Sequence, residues 1–480
     1  MPRTLINNGY VVTMNAKRGV YPHGWLILDG QTIASIGPQG AMPQGTFDEV
    51  IDASGMIVIP GLINTHQHFY YHLFKGLANG LLIEDWFPEL VFKVAPHLTD
   101  DDMELTSYLA NAEMLLSGTT CSLNHLRLTS TEATLQRIAA PGIELGIRQV
   151  IGKEVQCRLP GNPRHPRTLA EEVAFLDDLI PRWRNQAGGL VRLCLAVECN
   201  AVAIDAGVAS EDLLIEGKRL ADRHDLKIST HHAAGTMSFD RSYLKNLRKT
   251  GRTETQSLAQ LGLLDERFIL AHAINCTPTD IALIAGSGAS VSYTPTSEAL
   301  RGGGIGPAAS MAKAGVNVAL GSDGPMVDYS VDMIEQMKAC SMLQNVKHLD
   351  PGIMPPELCL EFATINAAKA LALDNEIGSL EAGKRGDIAL FDLATPHAAP
   401  ANNPVSALIY SAKGTDAHTV FVDGKAVVRA RQLVATSSMV DLLARGRARA
   451  VEIVDKANLQ ARSEPQWNTS HKSDSEKKKK

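Results

Sequence analysis

The pattern of hydrophobic and polar positions changes twice along the chain, which divides it into three parts. Residues 1 to about 58 hold short apolar runs separated by turns, and Asp29-Gly30 stands between two such runs, as a hairpin turn requires. From Pro60 onward, apolar runs of strand length alternate with longer amphipathic stretches of helical period. Strand-like runs return after residue 376. The pattern predicts two β-rich terminal segments that flank an α/β unit.

The middle of the chain has the alternation of a (β/α)8 barrel. The short β-branched run Met56–Pro60 predicts a buried strand just before the barrel's first polar residues. Thr99-Asp-Asp-Asp102 supplies an N-cap and an acidic first turn for a helix that Gly118 ends. Further strands are predicted at residues 119–124, 147–153, 190–197, 226–230, 268–271, 289–292 and 316–321. Helices are predicted at residues 169–179, 210–224, 253–263, 307–314, 331–343 and 356–373. About eight strands with intervening helices predict an α/β fold of the TIM-barrel type.

The domain organisation follows from these three patterns. The two β segments flank the barrel and are alike in pattern, so we expect them to pair in one small composite β-sandwich. A final helix is predicted at about Met439–Lys456, and the residues after it are poor in apolar side chains and end in four lysines. The predicted segments are an N-terminal sandwich segment at 1–58, the barrel at 59–375, a C-terminal sandwich segment at 376–436, a C-terminal helix at 437–462 and a disordered tail at 463–480.

Composition narrows the class of protein. The 480 residues are 45% hydrophobic and 20% charged, which is ordinary for a globular enzyme. A net charge of -6 argues against nucleic acid as a partner, because phosphate backbones are bound mainly by Lys and Arg. No apolar stretch of membrane-spanning length and no signal peptide is visible, so we expect a cytoplasmic protein without membrane contact. The seven cysteines lack Cys-x-x-Cys spacing, which argues against a disulfide framework.

Polar residues of one chemical kind collect at the predicted strand ends. His66 and His68 are two residues apart, so on an extended strand both imidazoles project from one face. Singly, a strand-end histidine is more often a hydrogen-bonded structural residue, and an Asp before Gly is by default a turn. Four coincidences with strand ends instead indicate one site, because barrel active sites lie at the carboxyl ends of the strands. The residues at the other ends are His231 with His232, His272, and Asp323. Imidazoles with a carboxylate are the ligands of a catalytic zinc or iron(II) ion.

At this point the chain resembles the amidohydrolase superfamily, in its branch of triazine hydrolases, guanine deaminase and adenosine-type deaminases. The resemblance covers nearly the whole chain except the tail. The matching motifs are Pro60-Gly-Leu-Ile-Asn-Thr-His-x-His68, Thr-His231, Ala-His272, Gly-Ser-Asp323-Gly324 and Ile377-Gly-Ser-Leu-Glu-Ala-Gly-Lys-Arg-Gly-Asp387. The resemblance implies a barrel with a composite sandwich and one divalent metal per subunit, zinc or alternatively Fe(II). It implies that His66, His68, His231 and Asp323 are the metal ligands. By the same resemblance, His272 orients the attacking water or the substrate.

Three stretches depart from the pattern of that branch. His231-His-Ala-Ala234 stands where relatives usually read His-x-Ala-Glu, so the usual proton-shuttling glutamate is absent. Tyr293-Thr-Pro-Thr-Ser-Glu298 replaces His-x-Pro-x-Ser-Asn, and Pro325-Met-Val-Asp328 also differs. These departures predict a substrate unlike that of typical adenosine or guanine deaminases, or a different leaving group.

Several residues are candidates for the missing function or for substrate contact. Carboxylates that could replace the shuttle are Glu154, Glu198 and Glu298, although each could equally form a salt bridge elsewhere. Glu198 also keeps a glutamate-bridged pair of metals open, but we expect one metal. The aromatic segment Phe69–Phe74 and Trp86 offer stacking surface for a flat ring, with core packing as the alternative. The predicted substrate contacts are His125, Trp86, Glu198, His232 and Glu298.

The predicted activity is that of a metal-dependent aminohydrolase or deaminase. It uses a metal-activated water to displace ammonia, or a related leaving group, from a small purine, pterin, pyrimidine or s-triazine. One alternative is a hydrolase of amide, urea or carbamate bonds, which the absence of a glutamate at Ala234 favours. Another is a non-catalytic binding relative. The expected partners are a small-molecule substrate and further copies of the chain in a homodimer or higher oligomer.

Overall fold

A computed structural model describes residues 3–126, 131–235, 237, 241–435, 438–465 and 467. The strands are β1 Arg3–Val12, β2 Val20–Asp29, β3 Thr32–Pro38, β4 Glu49–Asp52, β5 Met56–Pro60, β6 Leu62–Gln67, β7 Thr119–His125, β8 Arg148–Glu154, β9 Val191–Ala196, β10 Ile228–His232, β11 Phe268–His272, β12 Ser290–Tyr293, β13 Asn317–Leu320, β14 Ile388–Asp392, β15 Ala417–Val422, β16 Lys425–Arg429 and β17 Gln432–Leu433.

Helices cover the outside of the strands. The α-helices are α1 Ile83–Trp86, α2 Phe92–Val94, α3 Asp100–Leu116, α4 Glu132–Leu145, α5 Leu169–Trp183, α6 Ala201–Asp205, α7 Glu211–His224, α8 Ser242–Thr250, α9 Glu254–Gln260, α10 Pro278–Ser287, α11 Pro295–Leu300, α12 Ala308–Lys313, α13 Pro325–Asp328, α14 Met333–His348, α15 Pro356–Phe362, α16 Ile365–Ala370, α17 Pro404–Tyr410, α18 Met439–Lys456 and α19 Gln460–Ser463. Short 3-10 turns lie at Gln39–Ala41, Phe69–Phe74, Ala95–His97, Ala187–Gly189 and Gly414–Asp416, and a π-helical turn lies at Phe87–Val91. None of the described helices is long and apolar enough to cross a membrane.

Strands β6 to β13 form one parallel sheet in sequence order, which confirms the predicted barrel. The two ends of the sheet meet just beyond the last strand. There Gln67 bridges to Asp323 in parallel, and the Asp323 amide donates to the His66 carbonyl at 2.9 Å. The barrel therefore closes at the level of the polar strand-end residues.

The strand predicted at Met56–Pro60 forms, but it belongs to the other sheet. It pairs in parallel with β1 and antiparallel with β14, and the first barrel strand is β6. An apolar run five residues long fits either sheet, so pattern alone could not separate the two. His66 consequently lies inside β6, and His68 follows the end of that strand by one residue.

The two terminal segments pair with each other, as predicted for the composite β-sandwich, and their strands form a single mixed sheet. Its order is β17-β16-β15-β14-β5-β1-β2-β3, with β4 paired to β1. The predicted hairpin at Asp29-Gly30 joins β2 and β3, where Gly30 adopts a positive φ of 60°. The sheet's strands from the two chain ends meet at the β5–β14 pair, directly before the barrel begins.

The late Gly-Asp387 motif has a structural explanation in this arrangement. Arg148, the first residue of β8, is 1% exposed and binds Asp387 through Nε at 3.2 Å and Nη2 at 3.1 Å. The same Nη2 binds Asp423 at 2.5 Å. A buried cation is costly unless it is paired, so these carboxylates fix the barrel to the terminal sheet.

Most predicted helices form with small shifts of their ends. Thr99 caps α3 through a reciprocal capping box with Asp102, and α18 spans the predicted Met439–Lys456. The single helix predicted at 356–373 is wrong: the chain is helical in α15 and α16 and breaks between them at Thr364, whose φ and ψ are -131° and -95°. The tail predicted to be disordered comprises residues 463–480. From residue 466 onward it lies outside the described residues, with the exception of Trp467.

Candidate metal centre

Five predicted site residues meet at the carboxyl end of the barrel. All five are at most 9% exposed: His66 in β6, His68 after it, His231 in β10, His272 at the end of β11 and Asp323 after β13. Two of them have a positive φ, 74° at His272 and 63° at Asp323. Non-glycine residues in this conformation are uncommon and collect at functional sites.

The rings of His68 and His231 face each other in an arrangement that a cation would stabilise. Nε2 of His68 lies 3.1 Å from Nε2 of His231. The His68 Nδ1–H donates to the carbonyl of His125 at 2.7 Å, and the His231 Nδ1–H donates to Oε1 of Glu198 at 2.7 Å. Both acceptors can only accept, so the protons belong on Nδ1. Two lone pairs then point at each other, an arrangement that a bound divalent ion would stabilise.

His66 and Asp323 complete the same shell. Among the described residues, neither ring nitrogen of His66 has a hydrogen-bond partner, although the side chain is fully buried. Asp323 Oδ1 lies 3.6 Å from His66 Nε2 and 3.4 Å from His68 Nε2. Its Oδ2 accepts from the Ser297 hydroxyl at 2.6 Å, which orients the carboxylate. Buried imidazole nitrogens without partners fit metal ligands better than structural histidines.

Electrostatics keeps these groups in their ligand forms. Burial lowers the pKa of His66 and of His231 well below the usual histidine value, so both rings are neutral near pH 7. Burial alone would raise the pKa of Asp323, but its contacts with His66 and His68 hold that pKa well below its usual value. The site therefore offers neutral imidazoles and a carboxylate, which are the ligand types of zinc and iron(II).

The possible ligand atoms fall into overlapping groups. Candidate ligand atoms lie within 4.8 Å of one another in three sets: His66, His68 and His231; His66, His272 and Asp323; His125, Glu198 and His231. The first two share His66 and together include all four predicted ligands. The donor set of these four residues fits a single divalent ion.

His125 and Glu198 support the ligands from behind. Glu198 Oε1 lies 2.7 Å from His231 Nδ1 and 3.2 Å from His125 Nε2, and Asn200 donates to Oε2 at 2.5 Å. His125 also contacts the Ser229 hydroxyl through Nδ1 at 2.9 Å. Neither His125 nor Glu198 is among the described residues that line the cavity over the cluster. Their geometry fits second partners that orient His231 and His68.

An aromatic-walled cavity opens over the metal-ligand cluster. It is lined by His68, Tyr71, Ile83, Trp86, Phe87, Asn200, Val202, His231, Ala234, His272 and Asp323. Trp86 was predicted, and its indole contacts the Met326 sulfur at 3.2 Å while its ring lies 5.5 Å from that of Tyr71. Leu73 and Phe74 are buried among apolar neighbours, as the core-packing alternative had it, and Trp86 and Tyr71 belong to the same apolar cluster. The cavity therefore places aromatic side chains directly beside the metal-ligand cluster.

The remaining predicted residues lie elsewhere. His232 is fully buried and contacts the Thr255 hydroxyl through Nε2 at 2.8 Å, away from the cavity. Glu154 borders a different cavity, near Thr99. Glu298 lies behind His272, with Oε1 at 2.8 Å from His272 Nδ1. The geometry thus gives no support for substrate contact by His232 or for a proton shuttle at Glu154.

Three site residues carried no recognisable sequence signal. Asn200 lines the cavity, and Ser297 holds Asp323. Glu254 accepts the backbone amides of Ala201 at 2.7 Å and Ala233 at 2.5 Å, and its burial raises its pKa to about 7. In the sequence Glu254 reads as an ordinary acidic residue in the first turn of a helix. Only the fold brings it beneath the loop after β10.

The comparison with protein-family models decides the family. The model of the amidohydrolase family matches residues 57–427. The chain belongs to the amidohydrolase family. That match covers the barrel and most of the C-terminal strands of the mixed sheet, in agreement with the predicted resemblance.

Relatives named as deaminases cover almost the whole chain. A 5-methylthioadenosine/S-adenosylhomocysteine deaminase of Desulforudis audaxviator is 33% identical over 438 residues, which are 90% of this chain and 95% of the relative. A deaminase of the same name from Syntrophus aciditrophicus is 32% identical over 90% of this chain and 93% of its own.

Solved amidohydrolase structures share the fold. An adenosine deaminase from Xanthomonas campestris with bound zinc has a TM-score of 0.85 and 25% identity, covering 94% of this chain and 98% of its own. A zinc complex of an atrazine chlorohydrolase from Arthrobacter aurescens has a TM-score of 0.84 and 20% identity, covering 93% of this chain and all of its own. The comparisons agree with the predicted class of enzyme: the relatives are named as deaminases, and the structural neighbours are an adenosine deaminase and an atrazine chlorohydrolase.

Proposed function

We propose that this amidohydrolase binds one zinc ion through His66, His68, His231 and Asp323 and hydrolytically deaminates an adenosine derivative or a closely related amino-substituted heterocycle. The observation that carries the proposal is the pair of facing Nε2 atoms of His68 and His231, 3.1 Å apart, beside the carboxylate of Asp323. The 33% identity to a 5-methylthioadenosine/S-adenosylhomocysteine deaminase supports the substrate class. Zinc is named because the adenosine deaminase of Xanthomonas campestris carries it, and Fe(II) is the alternative.

The bound ion would supply Lewis acidity, which lowers the pKa of a coordinated water from about 15.7 toward about 7. Asp323 provides the base. Its Oδ2 is held by Ser297 at 2.6 Å, and its Oδ1 faces the ligand cluster, so the carboxylate can accept a proton from the attacking water. The burial of the whole group excludes bulk water and keeps that proton inside the site.

The overall reaction adds one water and releases one ammonia. The ring carbon gains the water oxygen, the exocyclic amino group leaves after taking up a proton, and the product is the corresponding oxo heterocycle. The proton that Asp323 accepts can be returned to the departing amine, so no external acid is required. Trp86 and Tyr71 offer faces against which the ring can stack while its reacting carbon lies near Asp323.

A panel of substrates tests the proposal. The zinc-loaded protein is incubated with adenosine, 5′-methylthioadenosine, S-adenosylhomocysteine, guanine, an amino-substituted pterin and an amino-s-triazine, and released ammonia is measured. We expect release from at least one adenosine derivative. Asp323→Asn is the negative control, because it keeps the shape of the side chain and removes both its basicity and the charge of a proposed zinc ligand.

One specific feature supports a second candidate. Ala234 lines the cavity at the position where the deaminase branch carries its proton-shuttling glutamate. An amide, urea or carbamate substrate has no ring nitrogen that must be protonated, so its hydrolysis does not need that glutamate. If no amino-substituted heterocycle of the panel releases ammonia, while amides, ureas or carbamates release ammonia or an amine, the second candidate replaces the first.

The oligomeric state also belongs to the proposal. We propose a homodimer or a larger homo-oligomer, and light scattering on the purified 51.6 kDa chain checks it. A mass of one chain at micromolar concentration would contradict that expectation.

A further inference from the structure

Glu298 is a fully buried carboxylate that the proposed reaction does not use. It lies in α11, is 0% exposed, and stands where the family pattern usually has an asparagine. Its Oε1 lies 2.8 Å from Nδ1 of His272 and accepts from Nη2 of Arg301. Charged side chains are retained in such places only when they are paired or functional.

The surroundings of Glu298 are built around its carboxylate. Oε2 has no hydrogen-bond partner among the described residues, and a Cβ added at Gly303 would collide with that oxygen. The Gly303 amide meanwhile donates to the Glu298 backbone carbonyl at 2.8 Å. The loop after α11 therefore closes over the carboxylate and holds it against His272.

Arg301 connects this pair to the position of the missing glutamate. Its guanidinium is 3% exposed, and besides pairing with Glu298 it donates through Nη1 to the carbonyl of Ala234 at 3.2 Å. The network thus runs from the backbone at Ala234 to the ring of His272. Arg301 also balances the charge of Glu298, so an ionised carboxylate can persist at this depth.

The contacts of His272 show what Glu298 does there. Nδ1 of His272 touches the Thr294 hydroxyl at 2.8 Å as well as Glu298. The Thr294 hydroxyl in turn donates to Oε1 of Glu298 at 3.4 Å, so it is left to accept from His272. An ionised carboxylate only accepts. Glu298 therefore requires the proton on Nδ1, and the lone pair of Nε2 is left for the cavity that His272 lines.

We propose that Glu298 is a positioning residue for His272, which fixes its tautomer and turns an accepting Nε2 toward the attacking water in a site that lacks the usual glutamate. An accepting nitrogen at this place performs one of the tasks of that glutamate, which is to hold a proton of the water. The inference rests on the proposed function for its catalytic meaning. What it states about the structure is that one proton lies on Nδ1 of His272.

That proton position can be measured without any substrate. In zinc-loaded protein with 15N-labelled histidines, two-bond proton–nitrogen correlations report which ring nitrogen of His272 is protonated, and His272→Gln identifies the signal. We expect protonation on Nδ1 alone near pH 7. In E298M/R301M, where an apolar pair of similar volume replaces the ion pair, we expect the proton to be shared between both nitrogens or to move to Nε2. Unchanged Nδ1 protonation in the folded double variant overturns the proposal.

Kinetics with the single variant Glu298→Gln gives the second reading. The amide keeps the shape and removes the charge, so we expect kcat to fall at least tenfold with KM within about twofold. The matched control is Glu172→Gln, which removes the charge of another buried carboxylate, paired with Arg167 and Lys153 and not among the described residues that line the cavity. It should keep kcat within about twofold. Wild-type kcat in a folded, zinc-loaded E298Q protein would also overturn the proposal.

The two readings separate this inference from the proposed function. If the wild-type protein turns over nothing on the substrate panel, the proposed function fails while the nitrogen spectra still decide the role of Glu298. If E298M/R301M does not fold, E298Q decides it by the same spectra, because loss of the charge is expected to weaken the preference for Nδ1. A tautomer that is identical in E298Q and wild type, with kcat also unchanged, leaves Glu298 a purely structural residue and contradicts the proposal.

Discussion

Nε2 of His68 lies 3.1 Å from Nε2 of His231, and each ring directs its Nδ1–H to an acceptor on its other side. Two lone pairs at this distance repel each other in a buried site. Metal binding should therefore stabilise the folded protein. Saturating zinc at about 100 times its dissociation constant contributes about 2.7 kcal/mol, which calorimetry of the zinc-loaded and chelated protein can measure as a rise in Tm. An identical Tm in both states would contradict the site.

The neighbouring histidines His231 and His232 should differ sharply when they are replaced. His231→Asn removes a ligand, so zinc content should fall well below one ion per chain. His232→Gln, whose side chain meets Thr255 at 2.8 Å in the parent protein, should keep a full ion. Elemental analysis of both purified variants measures the zinc content. Loss of zinc from the His232 variant alone would show that His232, and not His231, is the metal ligand.

Ser297 should act through Asp323. Its hydroxyl donates to Oδ2 at 2.6 Å, and partners of this kind are typically worth ten- to hundredfold in metal affinity or activity. We expect Ser297→Ala to lower kcat by about tenfold and Asp323→Asn to lower it by about a hundredfold or more. Thr296→Val on the same helix, where the parent hydroxyl binds Gln336, is the control and should change little.

Zinc should stay bound as the pH falls through 6.5. Burial lowers the pKa of His66 and of His231 well below that value in the folded protein, so both rings remain unprotonated ligands below it. Protonation of an imidazole competes with metal binding, so ligand histidines with an ordinary pKa would weaken zinc binding from a higher pH onward. Zinc content after dialysis at pH 7.5, 6.5 and 5.8 checks this: loss of most of the zinc between pH 7.5 and 6.5 would contradict the expectation.

Trp86 should contribute to substrate binding and not to the chemical step. It lines the cavity beside Tyr71, with ring centroids 5.5 Å apart. Trp86→Leu should raise KM about fivefold, equivalent to about 1 kcal/mol of lost stacking, with little change in kcat. Trp467→Leu is the matched control, because that indole is 81% exposed. A fall in kcat without a change in KM would place Trp86 in a different role.

The sequence predicted much of this site because the barrel fold constrains where strand ends meet. His66, His231, His272 and Asp323 are far apart in the chain, yet each follows an apolar run, and parallel strands bring those positions together. The same reasoning failed for Met56–Pro60, since a short buried run carries no information about which sheet it joins.

Other features of the site depend on contacts that no local pattern records. Glu254 and Ser297 look like common helix-start residues, and their meaning comes from the backbone amides and the carboxylate that the fold brings to them. His232 and His231 are adjacent, and only the direction of the strand decides which one faces the barrel axis. Glu298 was recognised as a candidate, but its position behind His272 required the structure.

The most direct test of the central claim is a titration of the metal-free protein with zinc, in which ammonia release from an adenosine derivative accepted in the panel is followed at each addition. A single site made of His66, His68, His231 and Asp323 predicts that the rate rises linearly and levels off at one equivalent per chain. Full activity before zinc is added, a break at two equivalents, or no ammonia at saturation would contradict a mononuclear metal-dependent aminohydrolase.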